Sequence, residues 1–217
     1  MHGWKRFAAP RFPITVFLVV LPNMNRGLIE LISGRGKPKP KAVWESKFSN
    51  GKYECLKKLG ELAHYSVIAG YFHYLKNGGS ILDVGCGDGL LQSRLNINRY
   101  SYYLGIDISD TAITRASSKS NNKTFFFRED AMKFVPKERF DAIIFNETLY
   151  CYYDPLAILK KYQNYLKKDG VLIVSMIVNS RHYFIWKRLK NKFATLDKTK
   201  IKSKNGLRWI CKVLNPS

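Results

Sequence analysis

The first chemistry in the chain lies in Ile81-Leu82-Asp83-Val84-Gly85-Cys86-Gly87-Asp88-Gly89-Leu90. A short apolar run feeds three glycines at alternate positions, and a segment able to start a helix follows. Gly85 and Gly87 have no Cβ, so the chain can turn sharply there and a ligand can lie against the backbone. The spacing is G-x-G-x-G, not the G-x-G-x-x-G of pyrophosphate-binding loops. Asp83 and Asp88 add negative charge, which suits a ligand that is not a phosphate and carries positive charge. Asp107 follows Asp83 by twenty-four residues, at the end of Leu104-Gly105-Ile106-Asp107-Ile108. An acid placed there accepts hydrogen bonds from both hydroxyls of a ribose. Asp after a strand also serves as a helix cap or turn residue.

Alternating strands and helices must hold these groups. Ser80–Val84, Tyr102–Ile106, Thr124–Arg128, Phe140–Phe145 and Gly170–Met176 read as five short apolar strands. Segments 88–97, 110–120 and 155–167 between them read as helices. This alternation predicts a parallel sheet covered on both faces. Ala194–Ile201 and Leu207–Leu214 are strand-like runs joined across Asn205-Gly206, so the sheet ends in an antiparallel hairpin. Ahead of the sheet, 44–76 reads as helical from Leu56, Leu59, Leu62, Ala63 and Ile68, with a stop at Asn77-Gly78-Gly79. Residues 33–41, rich in Gly, Pro and Lys, read as a linker that closes a basic extension over 1–43.

The chain has 217 residues, 46% of them hydrophobic, which is enough for one domain with a real core. Cys55, Cys86, Cys151 and Cys211 are widely spaced, with no CxxC pair. That argues against a zinc module, a redox motif or a disulfide framework, and for a reducing, cytoplasmic setting without a bound metal. The run Ile14–Leu21 is too short to span a bilayer. Lys5, Arg6 and Arg11 ahead of it mimic a signal peptide without its small-residue cleavage site, and Met24 offers an alternative start. The net charge is +21, distributed as +9 over 1–60, +2 over 61–180 and +10 over 181–217. Basic ends suit an anionic partner: nucleic acid, an acidic lipid surface or a phosphorylated small molecule. They also serve solubility alone.

Taken together, these motifs resemble class I S-adenosylmethionine-dependent methyltransferases over residues 61–215. Asp83–Gly89 matches the family's first motif and Asp107 the acidic end of its second strand. Glu129-Asp130-Ala131 resembles the segment after strand three, Asn146-Glu147-Thr148-Leu149-Tyr150 the fourth motif, and Tyr165–Gly170 the turn before strand five. The resemblance implies an α/β, Rossmann-like, seven-stranded, mostly parallel sheet with helices on both faces and an antiparallel end, over 80–217. It implies S-adenosylmethionine as cofactor, held by the Asp83-Val84-Gly85-Cys86-Gly87 loop. Its ribose falls to Asp107, its adenine to Ile108, Asp130 and the Ala131 backbone, and Asn146 lies near its methionine amino group. Residues 44–65 and the phrase Phe145–Tyr150 are most similar to small-molecule enzymes, including NodS-like N-methyltransferases of sugars and enzymes of polysaccharide or natural-product pathways.

Methyl transfer is a direct displacement, so the protein supplies alignment and excludes water. A base is needed only where the acceptor must lose a proton. Glu147 is placed to hold an amine or sugar hydroxyl, Tyr150, Tyr152 and Tyr153 to wall its pocket, and His182 to act as base. Each also has a plain packing reading. Residues 44–76, with Trp44, Phe48 and Tyr53, are expected to form a lid or an outer helix. A small-molecule acceptor is the favoured partner. A nucleic-acid acceptor is the first alternative, although Asn146–Leu149 lacks the prolines of amino-methyltransferases and Cys151 lacks a preceding proline. A cofactor-binding protein without catalysis is the second. Arg181–Phe193 is an amphipathic segment that suits either an acidic membrane surface or the sheet.

Overall fold

A computed structural model describes residues 26–215. The Ile14–Leu21 run, the cations ahead of it and Met24 lie outside these residues. Seven strands form one sheet: β1 (Ser80–Val84), β2 (Tyr102–Asp107), β3 (Thr124–Arg128), β4 (Phe140–Asn146), β5 (Leu166–Ile177), β6 (Ala194–Lys202) and β7 (Arg208–Asn215). Their order is β3-β2-β1-β4-β5-β7-β6. The first five run parallel, and β7 is antiparallel to both neighbours. The expected fold and terminal hairpin are present, with Gly206 at φ 80 in the turn.

The period-two alternation of each strand divides the core between the two faces. Leu82, Val84, Ile143 and Phe145 face one side, and Ile81, Tyr103, Ala142 and Ile144 the other. The first face is covered by α5 (Pro155–Gln163) and α6 (Ser180–Leu189), through Ile158, Leu159, Ile185 and Leu189. The second is covered by α3 (Leu59–Leu75) and α4 (Asp110–Ser117), through Tyr65, Ile68, Phe72 and Ala116. The apolar side of α6, together with Phe193, is therefore buried in the core. Among the described residues no helix is long and apolar enough to cross a membrane.

Three local expectations change. Residues 88–97 form no α-helix. Gly87 and Gly89 take φ 53 and 72, and the chain returns to β2 through short 3-10 turns at Gln92–Arg94 and Ile97–Arg99. Gln92 donates to the buried Tyr100 hydroxyl at 3.0 Å, which holds the return tightly. The 44–76 helical region is two helices, α2 (Lys41–Ser49) and α3. Asn50-Gly51 separates them, with Gly51 at φ 67, a turn signal that outweighs the helical spacing of the leucines. Leu59 is accordingly 82% exposed.

Of residues 33–41, expected as a linker, 33–40 lie as a strap along the loop after β4 and Lys41 begins α2. The amides of Gly36 and Lys37 donate to the carbonyls of Tyr153 (3.2 Å) and Tyr150 (2.9 Å). A Cβ at Gly36 would stand 2.1 Å from the Tyr152 carbonyl oxygen, so only glycine allows this approach. Ahead of the strap, α1 (Arg26–Ile32) packs beside α6.

Candidate active site

The order β3-β2-β1-β4 reverses its winding between β1 and β4, and ligands in open α/β sheets bind beyond the strand C-termini at such a crevice. A cavity of about 480 Å³ opens there. Asp83, Gly85, Cys86, Gly87, Asp107, Ile108, Asp130, Ala131 and Asn146 all line it. Four strand ends thus bring the whole predicted cofactor set to one place.

The glycine loop is closed by backbone bonds. The amides of Gly85 and Cys86 both donate to the Ile106 carbonyl, at 2.8 and 3.0 Å. Gly85 has φ 78, and a Cβ there would lie 2.4 Å from Thr148 Cγ2. The same threonine donates its hydroxyl to the Val84 carbonyl at 2.8 Å, so the first loop and the β4 end are packed as a unit. Gly87 faces Phe48 of α2.

Asp107 accepts from the Gly87 amide (3.0 Å) and the Ser109 amide (2.9 Å), one on each oxygen. Each oxygen keeps acceptor capacity for a further donor. Burial raises its pKa, and the backbone bonds oppose that rise. Asp83 is buried with Oδ2 accepting from the Tyr103 hydroxyl at 2.5 Å. Burial moves its pKa up to about 7. Oδ1 of Asp83 and Oδ1 of Asn146 are buried without a protein partner. Such acceptors fit a bound ammonium or amine, since an unpaired buried acceptor is costly. Asp130 takes the Met132 amide at 2.9 Å, and the Ala131 carbonyl takes Lys161 Nζ (2.9 Å) and the Tyr162 hydroxyl (3.0 Å). Among the described residues no His, Cys, Asp and Glu cluster could hold a metal.

Glu147 and Tyr150 also line the cavity. Glu147 has φ 57, uncommon outside glycine, and its carboxylate is tethered at three points. Ile177 N–H (3.1 Å) and the Tyr150 hydroxyl (3.3 Å) donate to Oε2, and the Ser175 hydroxyl donates to Oε1 at 3.5 Å. Burial pushes its pKa up to about 8, against the pull of those donors.

His182 does not line this cavity. It stacks behind Tyr150, with ring centroids 4.1 Å apart and planes 17° apart, and its Nδ1 bonds the Ile177 carbonyl at 2.6 Å. Burial lowers its pKa. The residue expected as a base thus sits one ring away, because Asn179 caps α6 and the helix turns the side chain under the loop. Tyr152 lines the cavity, whereas Tyr153 is 59% exposed beneath Arg35.

Trp44, Phe48 and Tyr53 reach the cavity from the N-terminal side. Glu61, Tyr65, Thr148 and Trp209 line it too and were not singled out as site residues from the sequence. Thr148 lies within a recognised motif. The other three come from α3 and β7, whose patterns signal only packing.

A methyltransferase-domain family model matches residues 75–212. An uncharacterized methyltransferase of Mycobacterium bovis is 31% identical over 109 residues, covering 49% of this chain and 55% of its own length. A ribosomal protein L11 methyltransferase of Acetivibrio thermocellus is 29% identical over 192 residues, covering 83% and 53%. The chain thus spans about half the length of these relatives. The N-methyltransferase NodS of Bradyrhizobium japonicum WM9, solved with S-adenosyl-L-homocysteine, superposes with a TM-score of 0.70 at 15% identity, covering 82% of this chain and 98% of that one. The chain belongs to the methyltransferase-domain family, and its sheet has the Rossmann-like fold of that solved structure.

Proposed function

We propose that this protein transfers a methyl group from S-adenosylmethionine to a small-molecule acceptor that presents an amine or a sugar hydroxyl. The carrying observation is the convergence of the predicted cofactor set with Glu147 and Tyr150 around one cavity. S-adenosylmethionine, when bound, supplies an electrophilic sulfonium methyl. Asp107 would hold the ribose hydroxyls. Asp130 and Ile108 would frame the adenine, and Asn146 with Asp83 would accept from the amino group. Trp44, Phe48 and Tyr53 exclude water from the mouth.

Glu147 receives the proton of the acceptor's nucleophile at Oε1 or Oε2. A pKa near 8 leaves it part ionised at neutral pH, and an acceptor ammonium beside it favours the ionised form. Tyr150 and the Ile177 amide hold that carboxylate in place. The relatives named for ribosomal protein L11 suggest a protein acceptor. The strap and α2, which narrow the mouth, favour a small molecule instead.

The test is transfer of labelled methyl from S-adenosylmethionine to panels of amines and sugars, with Glu147→Gln alongside. Transfer to a small molecule that falls about 100-fold in the variant supports the proposal. Label appearing only in protein or RNA fractions overturns the acceptor class.

A further inference from the structure

A second hollow, of about 550 Å³, adjoins the cavity on the strap side. Lys39, Trp44, Tyr53, Tyr150 and Cys151 line both, so the two spaces are neighbours across these side chains. Four cationic side chains surround the hollow, Lys37, Lys39, Lys47 and Arg181, and no Asp or Glu lines it.

The fold puts these charges there in three ways. The Lys37 amide bond to Tyr150 fixes the strap, and Lys37 and Lys39 both line the hollow from it. Lys47 comes from α2. Its Nζ lies 4.6 Å from the Trp44 ring centroid, and that of Lys39 lies 5.8 Å from the same ring. Arg181 comes from the first turn of α6, whose N-terminal dipole adds positive potential.

Carboxylates elsewhere on the surface do not neutralise this group. Lys41, next on the strap, pairs with Asp110, whereas none of the four forms an ion pair among the described residues. Two ammonium groups therefore crowd one indole ring with no ion-pair partner among the described residues. Burial and the nearby Lys39 both lower the Lys47 pKa, as expected of crowded, unbalanced cations.

We infer that the hollow binds an anionic group of the phosphate-ester class on the acceptor, while the acceptor's nucleophile reaches Glu147 through the shared wall. The inference rests on the methyl-transfer reading of the same site and assigns its substrate class: a small molecule bearing a phosphate or diphosphate. Cations on three separate elements favour a multiply charged anion over a single carboxylate.

The experiment uses the full chain and titrates inorganic pyrophosphate calorimetrically at low salt, with S-adenosylhomocysteine titrated in parallel. The variants are Lys39→Gln/Lys47→Gln and, as control, Lys198→Gln/Lys200→Gln on the exposed face of β6. The expected result is saturable pyrophosphate binding, at least about tenfold weaker in the first variant and unchanged in the control. Absence of binding, or equal loss in both variants, overturns the inference. An RNA oligonucleotide that binds more tightly than pyrophosphate and is lost in the same variant would overturn it in favour of an RNA acceptor. Failure of S-adenosylhomocysteine alone would count against the methyl-transfer reading, and the pyrophosphate result would still judge the hollow.

Discussion

Glu45 of α2 caps the N-terminus of α4: its carboxylate accepts from the amides of Asp110 (2.9 Å) and Thr111 (3.0 Å). The Ser109 hydroxyl adds a bond at 2.9 Å and the Thr111 hydroxyl another. These donors lower the Glu45 pKa. A carboxylate at a helix N-terminus satisfies orphan amides and complements the dipole. Here it also clips α2, with Trp44 and Phe48, beside Asp107. Glu45→Ala should cost about 1 kcal/mol in a denaturant melt and weaken S-adenosylhomocysteine binding by roughly threefold to tenfold. Unchanged affinity would show that α2 is an outer helix and not a lid.

Gly85 couples the first loop to Thr148. Gly85→Ala places a Cβ 2.4 Å from Thr148 Cγ2 at φ 78. The loss should be about 2–3 kcal/mol, from strain and overlap together. Adding Thr148→Ser removes the nearest atom and should restore part of the stability. No restoration would mean that the backbone conformation alone carries the cost.

Glu147 makes both stability and turnover depend on pH. Its folded pKa, about 8, lies above the unfolded value of 4.5. The stability it contributes is therefore fully present below pH 4.5 and is lost as pH rises through 8, because the folded state holds the proton that the unfolded state releases. Glu147→Gln should abolish that loss, a difference on the order of 5 kcal/mol at alkaline pH. Turnover should rise with pH through about 8 in the native protein and stay low and flat in the variant. A native rate that ignores pH between 6 and 9 would remove Glu147 as base.

The glycine loop and Asp107 were placed on the cavity by their spacing at strand ends, and Asp130, which also lines it, was placed by the family resemblance alone. The strands and the terminal hairpin were legible from the same alternation, whereas their order in the sheet is set by pairings between distant segments. His182 lines the adjoining hollow behind Tyr150 and not the main cavity, because sequence gives its distance along the chain and not the direction α6 turns it. The strap was hidden for a similar reason: Gly36 and two prolines read as a linker, and only the packing against Tyr150–Tyr153 makes them a fixed edge. Trp209 and Glu61 carried no local motif, since long-range folding alone brings α3 and β7 to the cavity.

His182 now tests as a positioning residue. It holds the Tyr150 ring and the Ile177 carbonyl, whose neighbouring segment tethers Glu147. His182→Gln should lower the melting stability by about 1–2 kcal/mol and reduce turnover less than about tenfold, with an unaltered pH profile. A loss of 100-fold at unchanged stability would return it to the reaction itself.

Retention of S-adenosylmethionine by the loop and Asp107 is measured by calorimetric titration with S-adenosylmethionine and S-adenosylhomocysteine. Micromolar binding by the native chain, weakened about 100-fold by Asp107→Ala, is the predicted result. No binding by the native chain, or binding that ignores the substitution, would contradict it.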